Sequence, residues 1–286
     1  MSSALARVAL RPERSAWWRL LTEPRSALGV LIAVVVLLAA LFGPMLSSYT
    51  PESPDFLATL APPSGMHWLG TDDLGRDVLA RILYGARVSL LVGLSSVGAA
   101  LLLGLPIGLV SGYAGGWTDS VLMRCMDVLL AFPGILLALG ITAALGASLS
   151  NTILAIAVVN LPVLARVARG QALAVRGLDF VTAERALGFK EATILWRCVL
   201  PNTLSPILVQ ASVLLASSII TEAYLSFLGL GVQPPIPSWG NMLHDAVGFL
   251  DQAAWLAWFP GAAIFLTVLA FNLLGDGLRD RLDPRD

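Results

Sequence analysis

Charge is what this sequence of 286 residues has least of: Asp, Glu, Lys and Arg make up 13% of it, against about 25% in soluble domains. So few charges cannot build the polar shell of a soluble domain this size, which excludes an ordinary water-soluble enzyme. A formal net charge of −1 gives no bulk attraction to phosphate backbones, so nucleic acid is not an expected partner. Two cysteines are too few for a disulfide framework, and with two histidines far apart in sequence no metal site is expected. No G-x-x-x-x-G-K-[ST] phosphate loop occurs, so the chain cannot cradle ATP in that way. What is abundant is apolar: 57% of residues are hydrophobic and the mean hydropathy is +0.79. The expectation is an all-α integral membrane protein, because lipid offers no partner to an exposed backbone.

A bilayer core about 30 Å thick needs roughly 20 apolar residues per helix. Residues 27–46 and 89–110 each fit one span. The uncharged stretch between Asp127 and Arg166 is too long for one helix, and its polar and small run at 146–151 splits it into a hairpin. The first arm should begin near Val121 and include Arg124 and Asp127. Residues 204–229 read as a fifth span and 252–275 as a sixth. Six transmembrane helices follow, with an amino-terminal segment 1–26, an outer loop 47–88, a five-helix core 89–278 and a tail 279–286. Within that core lie a loop at 166–203 and an outer loop at 230–251.

Basic residues set the expected orientation. Arg7, Arg11, Arg14, Arg19 and Arg25 precede the first span, and Arg279, Arg281 and Arg285 follow the last. Arg166, Arg169, Arg176, Arg185, Lys190 and Arg197 crowd the loop between spans four and five. The positive-inside rule places this loop and both termini in the cytoplasm. Trp17 and Trp18 inside, and Trp255 and Trp258 outside, suit interfacial aromatic belts. The first apolar run is longer than a signal-peptide core and lacks an A-x-A site, so an uncleaved anchor is expected.

The cytoplasmic loop reads DFVTAERALGFKEATILWRCVLPN from Asp179 to Asn202. Asp179 is expected to cap a short helix. Ala183 and Ala186 would let another surface approach closely, and Gly188 permits a sharp turn. A second short helix, 191–200, then leads through Pro201 to the next span. Such a rigid knob with mixed charges suits protein docking; a connector lying on lipid headgroups is the equally open alternative.

Here the residues resemble permease subunits of ABC importers, whose loop has the form E-A-A, three residues, G, nine residues, I-x-L-P. This chain has Thr182, Ala183 and Glu184, then Gly188, then Cys198, Val199, Leu200 and Pro201 at that spacing. Thr182, Glu184 and Cys198 depart from the usual types. The run His67-Trp68-Leu69-Gly70-Thr71-Asp72-Asp73-Leu74-Gly75-Arg76-Asp77 resembles the outer-loop signature of the dipeptide, oligopeptide and nickel permeases, "C" member. The runs from Ala223 to Gly231, Pro237 to Gly240, and Phe271 to Asp280 are similar to the same family.

The resemblance implies a type I ABC importer permease, half of a translocation pathway for peptides, nickel or another small solute. It implies a homologous second permease, two ATPase subunits that bind ATP and magnesium, an external solute-binding protein, and a bacterial inner membrane. Thr182, Ala183, Glu184, Arg185, Ala186, Leu187, Gly188 and Lys190 would form the ATPase-coupling segment. His67, Trp68, Asp72, Arg76 and Trp239 would be contacts on the outer face.

The buried polar positions leave alternatives open. Arg124 and Asp127 are neighbours on one helix face, so they either pair with each other or line the pore. Glu222, late in span five, either contacts a cationic solute group or serves packing. Asn160 either bonds between helices or faces the pore. Pro106 between Gly104 and Gly108, and Pro133-Gly134, read as hinges or, for the glycine pair, as a close helix contact. A self-sufficient carrier with broken-helix sites is the competing reading; an intramembrane enzyme lacks a nucleophile and base placed together. The knob distinguishes the first two, because a lone carrier has no use for it.

Overall fold

The computed structural model describes residues 23–282. Residues 1–22, with Trp17, Trp18 and four of the five amino-terminal arginines, and Arg285 of the tail lie outside these residues. Helices dominate: α1 Pro24–Leu46, α2 Val78–Ala114, α3 Gly116–Leu130, α4 Gly134–Leu145, α5 Leu149–Arg176 and α6 Asp179–Ala186. They are followed by α7 Glu191–Phe227, α8 Trp239–Ala246 and α9 Trp255–Leu282. Among the described residues the nearest approach to sheet is one antiparallel bridge between Thr71 and Asp77. Five helices (α1, α2, α5, α7 and α9) are long and apolar enough to cross a membrane. A sixth span exists only as the broken pair α3 and α4, bent by 85°.

The break has a local cause. Pro133 has no N–H to give to a helix ladder, and its ring pushes Phe132 away from helical geometry. Pro133 itself is extended (φ −56°, ψ 125°) and starts α4. The third span is therefore two helices rather than the single one expected. The hairpin turn falls where predicted: Gly146 takes φ +89°, and the Ser148 hydroxyl caps α5 by accepting from the Asn151 N–H.

α2 starts at Val78, not at Ser89 where the last outer charges seemed to end the apolar run. Those charges are satisfied locally. Arg81 lies against Asp72 and Asp245 at 3.4 and 3.5 Å. Arg87 donates to the Ala40 and Leu41 carbonyls of α1, both at 3.2 Å. Residue 44 is proline, which offers no N–H to the Ala40 carbonyl, so the arginine takes a place that α1 leaves open. The outer loop consequently ends at Asp77.

The loop expected at 166–203 is shorter than that. α5 continues to Arg176. The expected separate helix 191–200 is the beginning of α7, which runs through a π turn at Leu195–Val199. That turn ends at Val199, with Leu200 between it and Pro201, where the missing N–H already interrupts the i→i−4 ladder. The outer loop 230–251 contains α8 and a 3₁₀ turn at Val247–Phe249.

α2 and α5 form the central seam. A Cβ on Gly104 would stand 3.0 Å from the Leu161 carbonyl oxygen, one on Gly108 2.2 Å from that of Ala165, and one on Gly112 2.5 Å from that of Arg169. Backbones this close need the missing side chains, as small-xxx-small helix pairs in lipid do. Gly104 and Gly108 are thus a packing contact, and Gly112 extends it by a turn.

Candidate functional site

The knob is built from an inward anchor and an outward face. Val181 of α6 is fully buried, in a cluster with Leu109 and Tyr113 of α2, Ala172 and Val175 of α5, and Ile194 of α7. At 100° per residue, Asp179, Ala183 and Ala186 fall opposite Val181, with Thr182 and Leu187 beside them; all five are exposed. Glu184 and Arg185 flank the buried side. The Arg185 guanidinium donates to both Glu191 carboxylate oxygens (2.8 and 3.2 Å) and to the Tyr113 hydroxyl (3.2 Å). Tyr113 donates to Glu191 in turn, and Arg176 donates to the Tyr113 carbonyl at 2.8 Å. These bonds, Glu191 first, hold the guanidinium well above its ordinary pKa. Arg185 thus ties α6 to α2 and α7 while its side chain stays 43% exposed, so it braces the knob from its surface.

Asp179 is not the cap. Leu178 occupies that position without a side-chain bond, and Asp179 sits in the first turn, where its charge suits the helix dipole. The exit is as predicted: Gly188 takes φ +84°. The Phe189 N–H bonds to the Glu184 carbonyl and the Gly188 N–H to that of Arg185, the two bonds of a Schellman ending. Lys190, exposed, follows before α7.

At the other end, the outer-loop signature is mostly structural. His67 is buried and its Nδ1 donates to Asp77 at 2.9 Å, while Asp77 caps α2 through the Ala80 N–H. Asp72 is buried and accepts from the backbone N–H of Leu74 and Arg76 and from the Arg76 Nε at 2.6 Å. Trp239 is buried with its indole N–H on the Ile82 carbonyl. Burial pushes the Asp245 carboxyl above the usual range, with Arg81 and Arg76 opposing that shift. Of the five residues expected as outer-face contacts, Trp68 alone is widely exposed, at 72%; His67, Asp72 and Trp239 are buried inside the chain and Arg76 largely so.

Glu222 is completely buried where α2, α7 and α8 meet. It accepts from Ser89 at 3.0 Å and Ser226 at 2.8 Å, and hydrogen-bonds Ser238. Ser226 also accepts from the Val232 N–H, and Ser238 caps α8. The carboxylate therefore organises the whole outer corner, and its surroundings favour packing over solute contact. Glu222→Ala leaves three hydroxyls without their acceptor, about 1–3 kcal/mol for each buried group. We expect Glu222→Ala to lose most of the assembled chain in mild detergent and Glu222→Gln to keep it, measured by size-exclusion yield.

The remaining polar positions separate. Asn160 Nδ2 donates to Ser218 Oγ at 2.8 Å, joining α5 to α7, so it bonds between helices. Asp127 pairs with Arg166 at 2.6 Å and not with Arg124. A second pair, Asp119 with Arg169, is bidentate and is joined by Ser111. Neither cross-helix pair was legible from spacing, because i,i+3 rules describe one helix and these join two. Tyr113 was missed for the same reason, and Arg176 and Glu191 were read as loop charges without their partners on other helices.

The comparisons give this geometry a family. Residues 104–285 match the model of the binding-protein-dependent transport system inner membrane component, and 12–63 match the N-terminal TM domain of oligopeptide transport permease C. The dipeptide transport system permease protein DppC of Alkalihalophilus pseudofirmus is 46% identical over 97% of this chain and 91% of its own length. The glutathione transport system permease protein GsiD of Pectobacterium atrosepticum is 45% identical over 96% and 91%. This chain belongs to the binding-protein-dependent transport permeases. In fold it is similar to the MetNI methionine ABC transporter in inward-facing conformation, with a TM-score of 0.59 over 70% of this chain and 95% of that one, at 18% identity.

The permease is a multi-pass membrane protein and a transport subunit of an ABC importer; it is not an enzyme, because ATP hydrolysis belongs to separate subunits. ATPase and binding-protein partners in general follow from the family. A free-standing carrier is thereby set aside.

Proposed function

We propose that this permease forms half of the pathway of an importer for short peptides, in a bacterial cytoplasmic membrane. Its relatives named for dipeptide and glutathione transport match it along nearly the whole chain, which supports peptides as the solute. The observation that carries the mechanism is the outward face of α6, small at Ala183 and Ala186 and opposite an anchor that ties it to α2, α5 and α7. A groove on an ATPase subunit that receives this face can push three spans at once, because Val181 and the Arg185–Glu191–Tyr113 bonds leave no slack between knob and bundle. One homologous permease and two ATPases complete the assembly, with the knob and both chain ends in the cytoplasm. An external binding protein delivers the solute to the opposite end, where the Glu222 corner and the Asp72–Arg81–Asp245 cluster stiffen the fold.

The test is purification of this chain from its native membrane in mild detergent, with mass spectrometry of what remains bound. We expect a second permease of this family and an ATPase carrying a phosphate loop. With the binding protein added, the complex in vesicles should take up labelled dipeptide only when ATP is supplied. Recovery of this chain alone after crosslinking would overturn the partner set, and ATP-dependent uptake of another solute with none of dipeptide would overturn the substrate.

A further inference from the structure

Three charged side chains stand where the bundle leaves them half open or exposed. Arg166 of α5 and Asp127 of α3 pair at 2.6 Å, yet their side chains are 53% and 43% exposed. Arg124, on the preceding turn of α3, is exposed, and among the described residues it makes no ion pair. All three belong to segments apolar enough to lie in a membrane. Arg166 stands roughly 15 Å along the helix axis from the end of α5 at Arg176, at 1.5 Å per residue. α5 as a whole is about 42 Å long and outruns a hydrocarbon core about 30 Å thick, and Arg166 lies in its second half. Asp127 comes just before the break at Pro133, where α3 and α4 diverge by 85°.

Charges in a span face lipid at high cost, so they turn to a partner or to a water-filled cavity. Asp127 and Arg166 have each other but remain half open; Arg124 needs an anion or water. α3 as a whole buries only Met126, so its attachment to α5 depends heavily on Asp127–Arg166 and on Asp119–Arg169. A cation, an anion and a second cation on one open face complement a solute with separated positive and negative ends.

We propose that Arg124, Asp127 and Arg166 line the transport pathway beside the broken span and form a transient site for a zwitterionic solute. The solute's ammonium group meets Asp127 and its carboxylate meets Arg166 or Arg124, exchanging with the ion pair that otherwise occupies the site. The ligand class rests on the peptide reading above; the lining does not.

The full complex is used, with Cys125 and Cys198 replaced by serine as the background. Asp127→Cys and Arg166→Cys are each treated with a membrane-impermeant thiol reagent and, separately, with a lipid-soluble one. Reaction with the impermeant reagent in at least one nucleotide state is expected; reaction with the lipid-soluble reagent alone, or with neither in any state, overturns the lining. For dipeptide delivered by the binding protein, Asp127→Asn and Arg166→Gln should each lower the maximal uptake rate by roughly tenfold or more, the loss expected when a charged hydrogen-bond partner is removed. The half-saturating concentration should hold, because the binding protein selects the solute first. The exchange Asp127→Arg with Arg166→Asp retains a salt bridge between α3 and α5 but reverses the charges met by the solute. Uptake should stay low in this variant, and full recovery would show that the pair is only a structural tie. If the Asp127→Cys and Arg166→Cys complexes label from water yet the assembled parent takes up no dipeptide, the peptide reading fails with its ligand class and the lining stands.

Discussion

Gly188→Val is expected to cut ATP-driven uptake sharply, while Gly188→Asn stays close to the parent. The residue has φ +84°, a conformation that costs a residue with a β-carbon roughly 1–2 kcal/mol. That corresponds to about 5- to 30-fold in the population of the closed turn, and the Phe189-to-Glu184 and Gly188-to-Arg185 bonds depend on it. Asparagine enters this region readily, so it preserves the turn. A Cβ at this position meets nothing within 4 Å in the chain itself; the effect therefore comes from the altered turn and from whatever surface docks there.

Ala186→Asp separates these two causes from helix stability. An anion at the last residue of α6 opposes the helix dipole, whereas Ala186→Lys complements it, each by about 0.3–1 kcal/mol. If docking requires a small side chain at Ala186, both variants lose uptake despite opposite effects on the helix. If helix stability alone matters, the lysine variant transports normally. Uptake and binding-protein-stimulated ATP hydrolysis, measured together in reconstituted vesicles, decide the matter, and normal uptake in all three variants (Gly188→Val, Ala186→Asp and Ala186→Lys) would remove the coupling assignment.

The knob also shows what a sequence can and cannot disclose. Gly188 was readable because a turn after a short helix asks for one residue type. Ala183 and Ala186 were readable because small residues recur at helical spacing. The bracing role of Arg185 was not readable: its partners, Tyr113 and Glu191, come from two other helices and leave no mark on local periodicity. The same limit governs Arg81 and Arg87, which seemed to end an apolar run. Asp72, Asp245 and the carbonyls of α1 satisfy them, so the helix continues past both. The outer-loop motif illustrates the converse. Its polar residues looked like contacts for a partner, yet His67 bonds Asp77, the cap of α2, and Asp72 holds the turn at Leu74 and Arg76; Trp239 of α8 is likewise anchored on the Ile82 carbonyl. Pro133 announced a disturbance, but the 85° between α3 and α4, both of which also pack against α5, is encoded by no single position.

Gly108→Val should prevent the chain from assembling, whereas Gly98→Ala on the same helix should be harmless. A Cβ at Gly108 would stand 2.2 Å from the Ala165 carbonyl oxygen and 2.6 Å from the Ala168 Cβ; at Gly98 it would meet nothing within 4 Å. A flexible side chain could rotate out of such a clash, but a helix carbonyl cannot, so α2 and α5 must separate. In soluble cores overpacking costs about 1–3 kcal/mol, occasionally more; here the neighbouring contacts at Gly104 and Gly112 open with the first. Lipid supplies no hydrophobic pressure to press the helices together again, since packing itself holds them. A loss of about 3 kcal/mol is more than a hundredfold in equilibrium. Gly98→Ala, by contrast, removes glycine from a helix interior, a gain of up to about 1 kcal/mol in propensity. Co-purification with the second permease, normalised to inserted chain, provides the comparison. Equal recovery of both variants would mean that the α2–α5 seam is looser than its glycines indicate. Recovery of Gly98→Ala alone would make the seam the frame on which α6, through Val181, is mounted.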